Sequence, residues 1–158
     1  MTTDSPIPDL PHLRTWIGKK ETRDDIAAAW PMAALAATLD RRDPFPQPGD
    51  AIPQSGHWLY FLETAPNADL SHDGHPRRGG FLPPVPLPRR MWAGGRIDFR
   101  QPVRVGEKIS RESEVISVAA KPGQSGNLVF VTVRHTVTSG GIAAIVEEHD
   151  IVYRDAAK

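Results

Sequence analysis

Between His75 and Arg100 the chain reads HPRRGGFLPPVPLPRRMWAGGRIDFR, and this stretch restricts the fold more than any other. Pro83, Pro84, Pro86 and Pro88 fix φ and remove four backbone donors, so the run can be neither a helix nor a central strand. Gly79 and Gly80 ahead of it permit left-handed backbone and therefore a turn. The segment is expected to lie extended across a surface built by the rest of the chain, with Phe81, Leu82, Val85 and Leu87 as its apolar contacts. Arg89 and Arg90 then set two permanent guanidinium groups beside Met91 and Trp92, and Gly94 with Gly95 lets another backbone or a thin ligand come close. An apolar slot with a cationic mouth suits an acyl chain carried on a phosphorylated handle.

Around this passage the chain must supply a sheet and something to cover it. Residues 1–15 are polar and punctuated by proline and predict a flexible arm, anchored where Trp16 and Ile17 begin a single domain over 16–155. Lys20 to Ala27 predicts an edge-like strand. Pro31 suits the first turn of a helix running to Leu39, with Met32, Leu35, Ala36 and Leu39 on one buried face. Ten of the sixteen prolines fall between Pro44 and Gly95, interrupted by HWLYFLE, which reads as a short strand or a tightly packed segment. A connection that long and irregular usually serves function.

After Gly95 the periodicity turns to two. Arg96–Gln101, Lys108–Ala120, Leu128–Ser139 and Ile142–Arg154 predict strands, divided by Pro102–Gly106, by KPGQSGN and by Gly140-Gly141. In the third, Val129, Val131, Val133 and Val137 share one face, and Thr132, Arg134, Thr136 and Thr138 the other. One helix followed by four antiparallel strands makes an α+β protein whose sheet wraps around the helix.

Composition narrows the function classes. Lysine plus arginine and aspartate plus glutamate are 19 each, so no global field draws the chain to nucleic acid or an anionic membrane, and any anion site has to be local. With no cysteine there is neither a disulfide nor a thiolate zinc site nor a cysteine nucleophile. The start, MTTDSPIPDLPHL, lacks the basic and apolar regions of a secretory signal, and no run approaches membrane-spanning length; we expect a cytoplasmic protein. No G-x-G-x-x-G follows a strand, so neither a redox nucleotide nor a flavin is implied, and we expect no cofactor.

The strings WIGKKETRDDI, LAATLDRRD, HWLYFLE, DGHPRRGGFLPPVPLPRRMWAGGRIDF, PVRVG, SGNLVFVTVRH and EEHDIVYRD, spread from Trp16 to Asp155, resemble the N-terminal hot-dog half of MaoC-like dehydratases. The likeness is to the group of mesaconyl-CoA hydratases and hydroxyacyl-thioester dehydratases type 2. It implies a hot-dog fold, an antiparallel sheet around one central helix, and hydration or dehydration of the α,β double bond of an enoyl thioester on coenzyme A or acyl carrier protein. In that group the catalytic histidine and its acidic or amide partner belong to the C-terminal half, in a segment resembling FNxHRIHYD. This chain has TRDDIAAAWP before its helix and no such segment. The resemblance therefore implies a substrate passage whose catalytic dyad lies on another hot-dog chain, in a homodimer or a heterodimer.

On that reading Arg89 and Arg90 contact the phosphates or pantetheine, Met91, Trp92, Gly94 and Gly95 wall the passage, and Phe81 and Leu82 cover it. For a dyad within this chain the candidates are weak. His149 and Asp150 are neighbours on a strand and point to opposite faces; His149 shares its face with Ile145, Ile151 and Tyr153, and His135 with Val131, Val133 and Val137, where a histidine is more often a hydrogen-bonded core residue than a base. Asp69, His72, Asp73 and His75 have spacings a divalent metal accepts, but a turn-rich loop commonly spends such side chains on its own backbone, so we expect no metal. Asp98 between Arg96 and Arg100 reads as an ion-paired wall residue, and Trp58 and Tyr60 as packing. Two alternatives stand beside the passage: a self-associating, non-catalytic acyl-thioester-binding scaffold, and a self-sufficient homodimeric hydratase or thioesterase using His135, His149 or the His72–His75 loop.

Overall fold

The structure is a computed structural model that describes residues 8–71, 73–123 and 126–156. Helix α1 (Leu10–Arg14) leads into β1 (Lys20–Ile26), α2 (Ala29–Thr38), a long irregular connection, and then β2 (Arg89–Phe99), β3 (Lys108–Gly123), β4 (Gly126–Ser139) and β5 (Ile142–Arg154). All strand pairings are antiparallel, in one sheet of order β1-β3-β4-β5-β2. The β4–β5 hairpin turns on Gly140 (φ 58°) and Gly141 (φ 79°). Positive φ at both central residues is what a two-residue turn needs to match the twist of its strands, hence the glycine pair.

Alternation gives the sheet one apolar face, which carries two hydrophobic clusters. At one end Ile109, Val137 and Ile145 pack with Met32 of α2, Tyr60, Phe61 and Val103. At the other, Val115, Val118, Val129, Val131, Val133 and Tyr153 pack under Leu13 of α1 and under Val85 and Leu87 of the proline run. The run lies extended over the sheet, as its missing donors require. Its orphaned carbonyls are caught by one side chain: the Arg78 guanidinium donates to Val85 O at 2.8 Å, Leu87 O at 2.5 Å and Pro88 O at 3.3 Å, and sits 5.1 Å over the Tyr153 ring. Gly80 O is tied to the end of α1 by Trp16 Nε1 (3.1 Å) and Lys19 Nζ (2.6 Å).

Three expectations change and one pair of alternatives is decided. Within the stretch expected as a loose arm, Leu10–Arg14 is helical and Leu13 is buried against the sheet, because Asp9 caps the turn and one leucine suffices to dock it. Strand β2 starts at Arg89, seven residues before the expected Arg96, since β5 offers a pairing partner as far as Arg154; a bulge between Trp92 and Gly94 absorbs the glycines. Of the two forms expected for HWLYFLE, the structure has the tightly packed segment and not the strand: a 3₁₀ turn (Gly56–Leu59) and irregular chain with His57, Tyr60 and Phe61 buried. Finally, α2 seats only Met32 in the core and leaves Trp30 71% and Leu39 59% exposed, so the sheet covers one stripe of the helix; an apolar groove of about 500 Å³ runs along its flank between Leu35, Leu39, Pro44 and Val105. Among the described residues no helix is long and apolar enough to cross a membrane.

Candidate functional site

Between the two apolar clusters the same sheet face turns polar. The register aligns Ser113 of β3, His135 of β4, Glu147 of β5 and Ile97 of β2 in one row, and Val133, His149 and Gly95 in the next. Glu147 is 3% exposed. Trp58 Nε1 donates to its Oε2 at 2.9 Å, while His149 Nε2 stands 3.2 Å from Oε2 and His57 Nε2 3.3 Å from Oε1. His57, itself buried, is in contact with the carboxylate but out of line for a hydrogen bond. Burial opposes charge on Glu147, but the polar N–H groups of His149, His57 and Trp58 gathered around it outweigh it and hold the carboxyl well below the usual range. One row member along, Ser113 Oγ meets His135 Nδ1 at 2.8 Å, and burial with help from neighbouring His149 and Arg111 lowers His135 to about 4, so it is neutral near pH 7.

This cluster reaches the surface at one side. The His149 side chain is 28% exposed, Trp58 50% and Trp92 64%. The Trp92 indole lies across Gly95: a Cβ built there would be 3.3 Å from Trp92 Cζ2 and 2.9 Å from Glu148 O. Glycine is thus required by close approach on both sides. An imidazole fixed by a buried carboxylate, with the Trp58 ring edge-on to it and the Trp92 indole over the facing Gly95, offers a polar group beside a flat apolar surface.

A second concavity, about 200 Å³, opens under the proline loop. Its walls come from β1 (Glu21, Arg23), β2 (Arg90) and the loop (Arg77, Arg78, Phe81, Leu82). Because β1 and β2 are opposite edges of the sheet, their meeting in one cleft shows that the sheet curls until its edges approach each other over the apolar face. Arg23 is held by Glu63 (2.9 Å) and Glu21 (3.5 Å). Asp73 Oδ2 stands 3.6 Å from Arg90 and 3.8 Å from Arg78, and its Oδ1 accepts from His75 N at 3.2 Å.

The residues expected to form the passage are therefore divided by strand alternation. Phe81, Leu82 and Arg90 line the cleft; Trp92 and Gly95 flank the Glu147 cluster. Arg89, Met91 and Gly94 are paired with Arg154, Val152 and Asp150 on the outer face, away from both. His135 and His149, whose ring centroids are 4.8 Å apart, both belong to the cluster. In the loop considered for a metal, Asp73 is spent on His75 N and two arginines, and His72 lies outside the described residues; among those described no group of three histidine or acidic side chains is disposed around an ion. Asp98 pairs with Arg100 at 2.8 Å, whereas Arg96 reaches Glu148 and Asp150. Tyr60 commits its hydroxyl to Ala28 O at 2.6 Å. Glu147 and Ser113 were not picked out from the sequence, and His57 and Trp58 only as part of the HWLYFLE segment, Trp58 as packing. For Glu147 a signal existed: it has the same parity as Ile145, His149, Ile151 and Tyr153, a carboxylate on an apolar strand face.

A curled antiparallel sheet with a helix, here α2, against its apolar face is the hot-dog architecture, and this is the class of protein the chain defines. The fold is shared with the ChsH1-ChsH2 complex of Mycobacterium tuberculosis (TM-score 0.57, 13% identity, covering 94% of this chain and 90% of that one). It is shared too with the C-terminally truncated HadBC (3R-hydroxyacyl-ACP dehydratase) complex of the same organism (TM-score 0.50, 15% identity, 86% and 96% covered). The family model for hydroxyacyl-thioester dehydratase type 2 matches residues 54–158, and the chain belongs to that family. It is 48% identical over 141 residues to the mesaconyl-C(4)-CoA hydratase of Chloroflexus aurantiacus, a match covering 89% of this chain and 50% of the relative. The chain thus spans about half the length of that curated relative.

Proposed function

We propose that this chain is a hot-dog half of an acyl-CoA hydratase or dehydratase, adding or removing water across the α,β double bond of an enoyl thioester and supplying the passage in which the acyl group lies. The observation that carries the reading is the 48% identity over 89% of the chain to a mesaconyl-C(4)-CoA hydratase. Hydration needs a base to take a proton from water as its oxygen bonds to the β-carbon, an acid to protonate the α-carbon, and a donor to the thioester oxygen. The cleft and the indole-flanked cluster supply an acyl wall; the remaining groups come from a second hot-dog. Its docking edge is β2. The free edge of β1 carries Lys20, Glu21, Arg23, Asp24 and Asp25, charges that discourage strand addition, whereas β2 shows Met91, Trp92, Ala93 and Gly94.

A second reading has one observation in its favour: Glu147 holds His149 at 3.2 Å, the carboxylate–imidazole arrangement of a general base. One experiment separates the two. The purified chain is assayed with enoyl-CoA thioesters, following loss of the conjugated double bond. Binding without turnover, restored to turnover by a catalytic hot-dog, supports the passage; turnover by the chain alone that His149→Ala abolishes supports the self-sufficient enzyme. Neither binding nor turnover with any thioester rules out both.

A further inference from the structure

Arg89 and Met91, turned away from the cleft, belong to the outer face of the sheet, and the pairing register shows what stands beside them. Residues directly opposite each other on neighbouring strands project to the same side. Lys121 of β3, Leu128 of β4, Arg154 of β5 and Arg89 of β2 therefore form one row across four strands. The adjacent row carries Phe130, Val152 and Met91. One row is cationic and its neighbour apolar. With strands about 4.8 Å apart and alternate residues of a strand about 7 Å apart, each row is roughly 14 Å long and the two run about 7 Å from each other. Arg89 and Lys121 are exposed, Met91 is 49% exposed, and Lys121 Nζ stands 5.3 Å from the centroid of the Phe130 ring.

These cations differ from those in the middle of the same face. There Lys20 pairs with Glu112 at 2.9 Å, Arg134 with Glu148 at 2.8 Å, and Arg96 with Glu148 at 2.9 Å and Asp150 at 3.0 Å. Among the described residues no carboxylate lies within ion-pair distance of Arg89, Arg154 or Lys121; Arg154 Nε reaches only the carbonyl of Asp155, at 3.4 Å. Arg89 and Arg154 are direct partners on the ladder, where like charges repel. In a chain of zero net charge this end of the face holds an unneutralised cationic row beside apolar surface.

We infer that the two rows are a docking surface for an acidic amphipathic helix of another polypeptide, laid across the strands. The dimensions favour a helix. Its pitch of about 5.4 Å brings one side chain per turn onto a row whose members stand about 4.8 Å apart, and about ten residues span the roughly 14 Å of the row. Acidic residues one turn apart meet Lys121, Arg154 and Arg89, and the apolar stripe beside them covers Phe130, Val152 and Met91. A helix about 10 Å across covers both rows. This surface is on the opposite side of the sheet from the Glu147 cluster, so the inference stands apart from the hydratase reading. A hot-dog added at the edge of β2 extends the sheet and leaves this face open.

The test is fluorescence anisotropy of a labelled synthetic peptide titrated with the full chain. The peptide has about fourteen residues, is cross-linked into a helix, and carries leucines on one face with glutamates along their flank. A second peptide has glutamine in place of every glutamate. The acidic peptide should bind about tenfold more tightly, and the preference should shrink as salt rises to roughly 300 mM, because exposed ion pairs are individually weak and screened. The double variant Arg89→Gln, Arg154→Gln should abolish the preference with Tm unchanged. Lys108→Gln, which removes an exposed cation from the far end of β3, should leave it intact. Met91→Ser should weaken both peptides alike. Equal binding of the two peptides, binding of neither, or a preference that survives the double variant overturns the inference. Capture of the chain by vesicles containing about one-third phosphatidylglycerol, with no binding of the acidic peptide, overturns it too and assigns the face to a lipid surface.

Discussion

Glu147, between Ile145 and His149 on β5, is the residue on which the polar row depends. The Trp58 indole donates to it and the His57 and His149 imidazoles stand in contact with it, so its removal leaves three polar rings without their shared carboxylate. Glu147→Ala should cost roughly 3–5 kcal/mol, the range for breaking a buried pair on one side, read as a lower urea midpoint. His135 gives the row a pH signature. Its folded value of about 4 lies below the ordinary histidine value of 6.5, so between those limits the unfolded chain binds more protons than the folded one. Stability should be fully present above about pH 6.5 and fall as the pH drops toward 4, by on the order of 3 kcal/mol. His135→Gln, which can still meet Ser113 Oγ, should flatten the slope of unfolding free energy across that window; an unchanged slope would assign the titration elsewhere.

At the scale of elements, β2 and the proline run act as a pair. The run cannot donate to a ladder, so it crosses the sheet as a strap, and Arg78 ties down the carbonyls it leaves open. Strand β2 is an edge that tolerates glycine because a bulge between Trp92 and Gly94 lets the indole fold back over Gly95. Gly95→Ala puts a Cβ 2.9 Å from Glu148 O, on the backbone of the neighbouring strand, where no side-chain rotation relieves it. The substitution should destabilise the fold by about 1–3 kcal/mol and displace Trp92, detected as a lower Tm together with a shift in tryptophan fluorescence. Legibility from sequence followed the same line. Strands β3, β4 and β5 were readable because period-two alternation is a local property, whereas the start of β2 was misplaced because only pairing with β5 turns an arginine- and glycine-rich string into a strand.

For the whole molecule the consequence is association. One free edge of the sheet is charged almost throughout, the other has an uncharged run from Met91 to Gly95, and a half-covered helix leaves Trp30 and, just past its end, Leu39 in water. We expect sedimentation at tens of micromolar to give a species heavier than the 17.4 kDa chain, through β2. Replacing Trp92 by aspartate should shift that species toward monomer, and a single 17.4 kDa species for the unaltered chain would refute the edge assignment.

The sequence by itself determined the α+β class, the strand pattern after Gly95, the extended course of the proline run and the family, because alternation, missing donors and motif strings are properties of neighbouring residues. The tertiary structure decided which of the marked residues work together. Strand parity sent Arg89, Met91 and Gly94 outward and Arg90, Trp92 and Gly95 inward. Curling of the sheet brought β1 and β2 to one cleft, and pairing register set Ser113, His135 and Glu147 in one row across residues 113 to 147. Those arrangements depend on contacts between segments far apart in the chain, which local pattern does not encode.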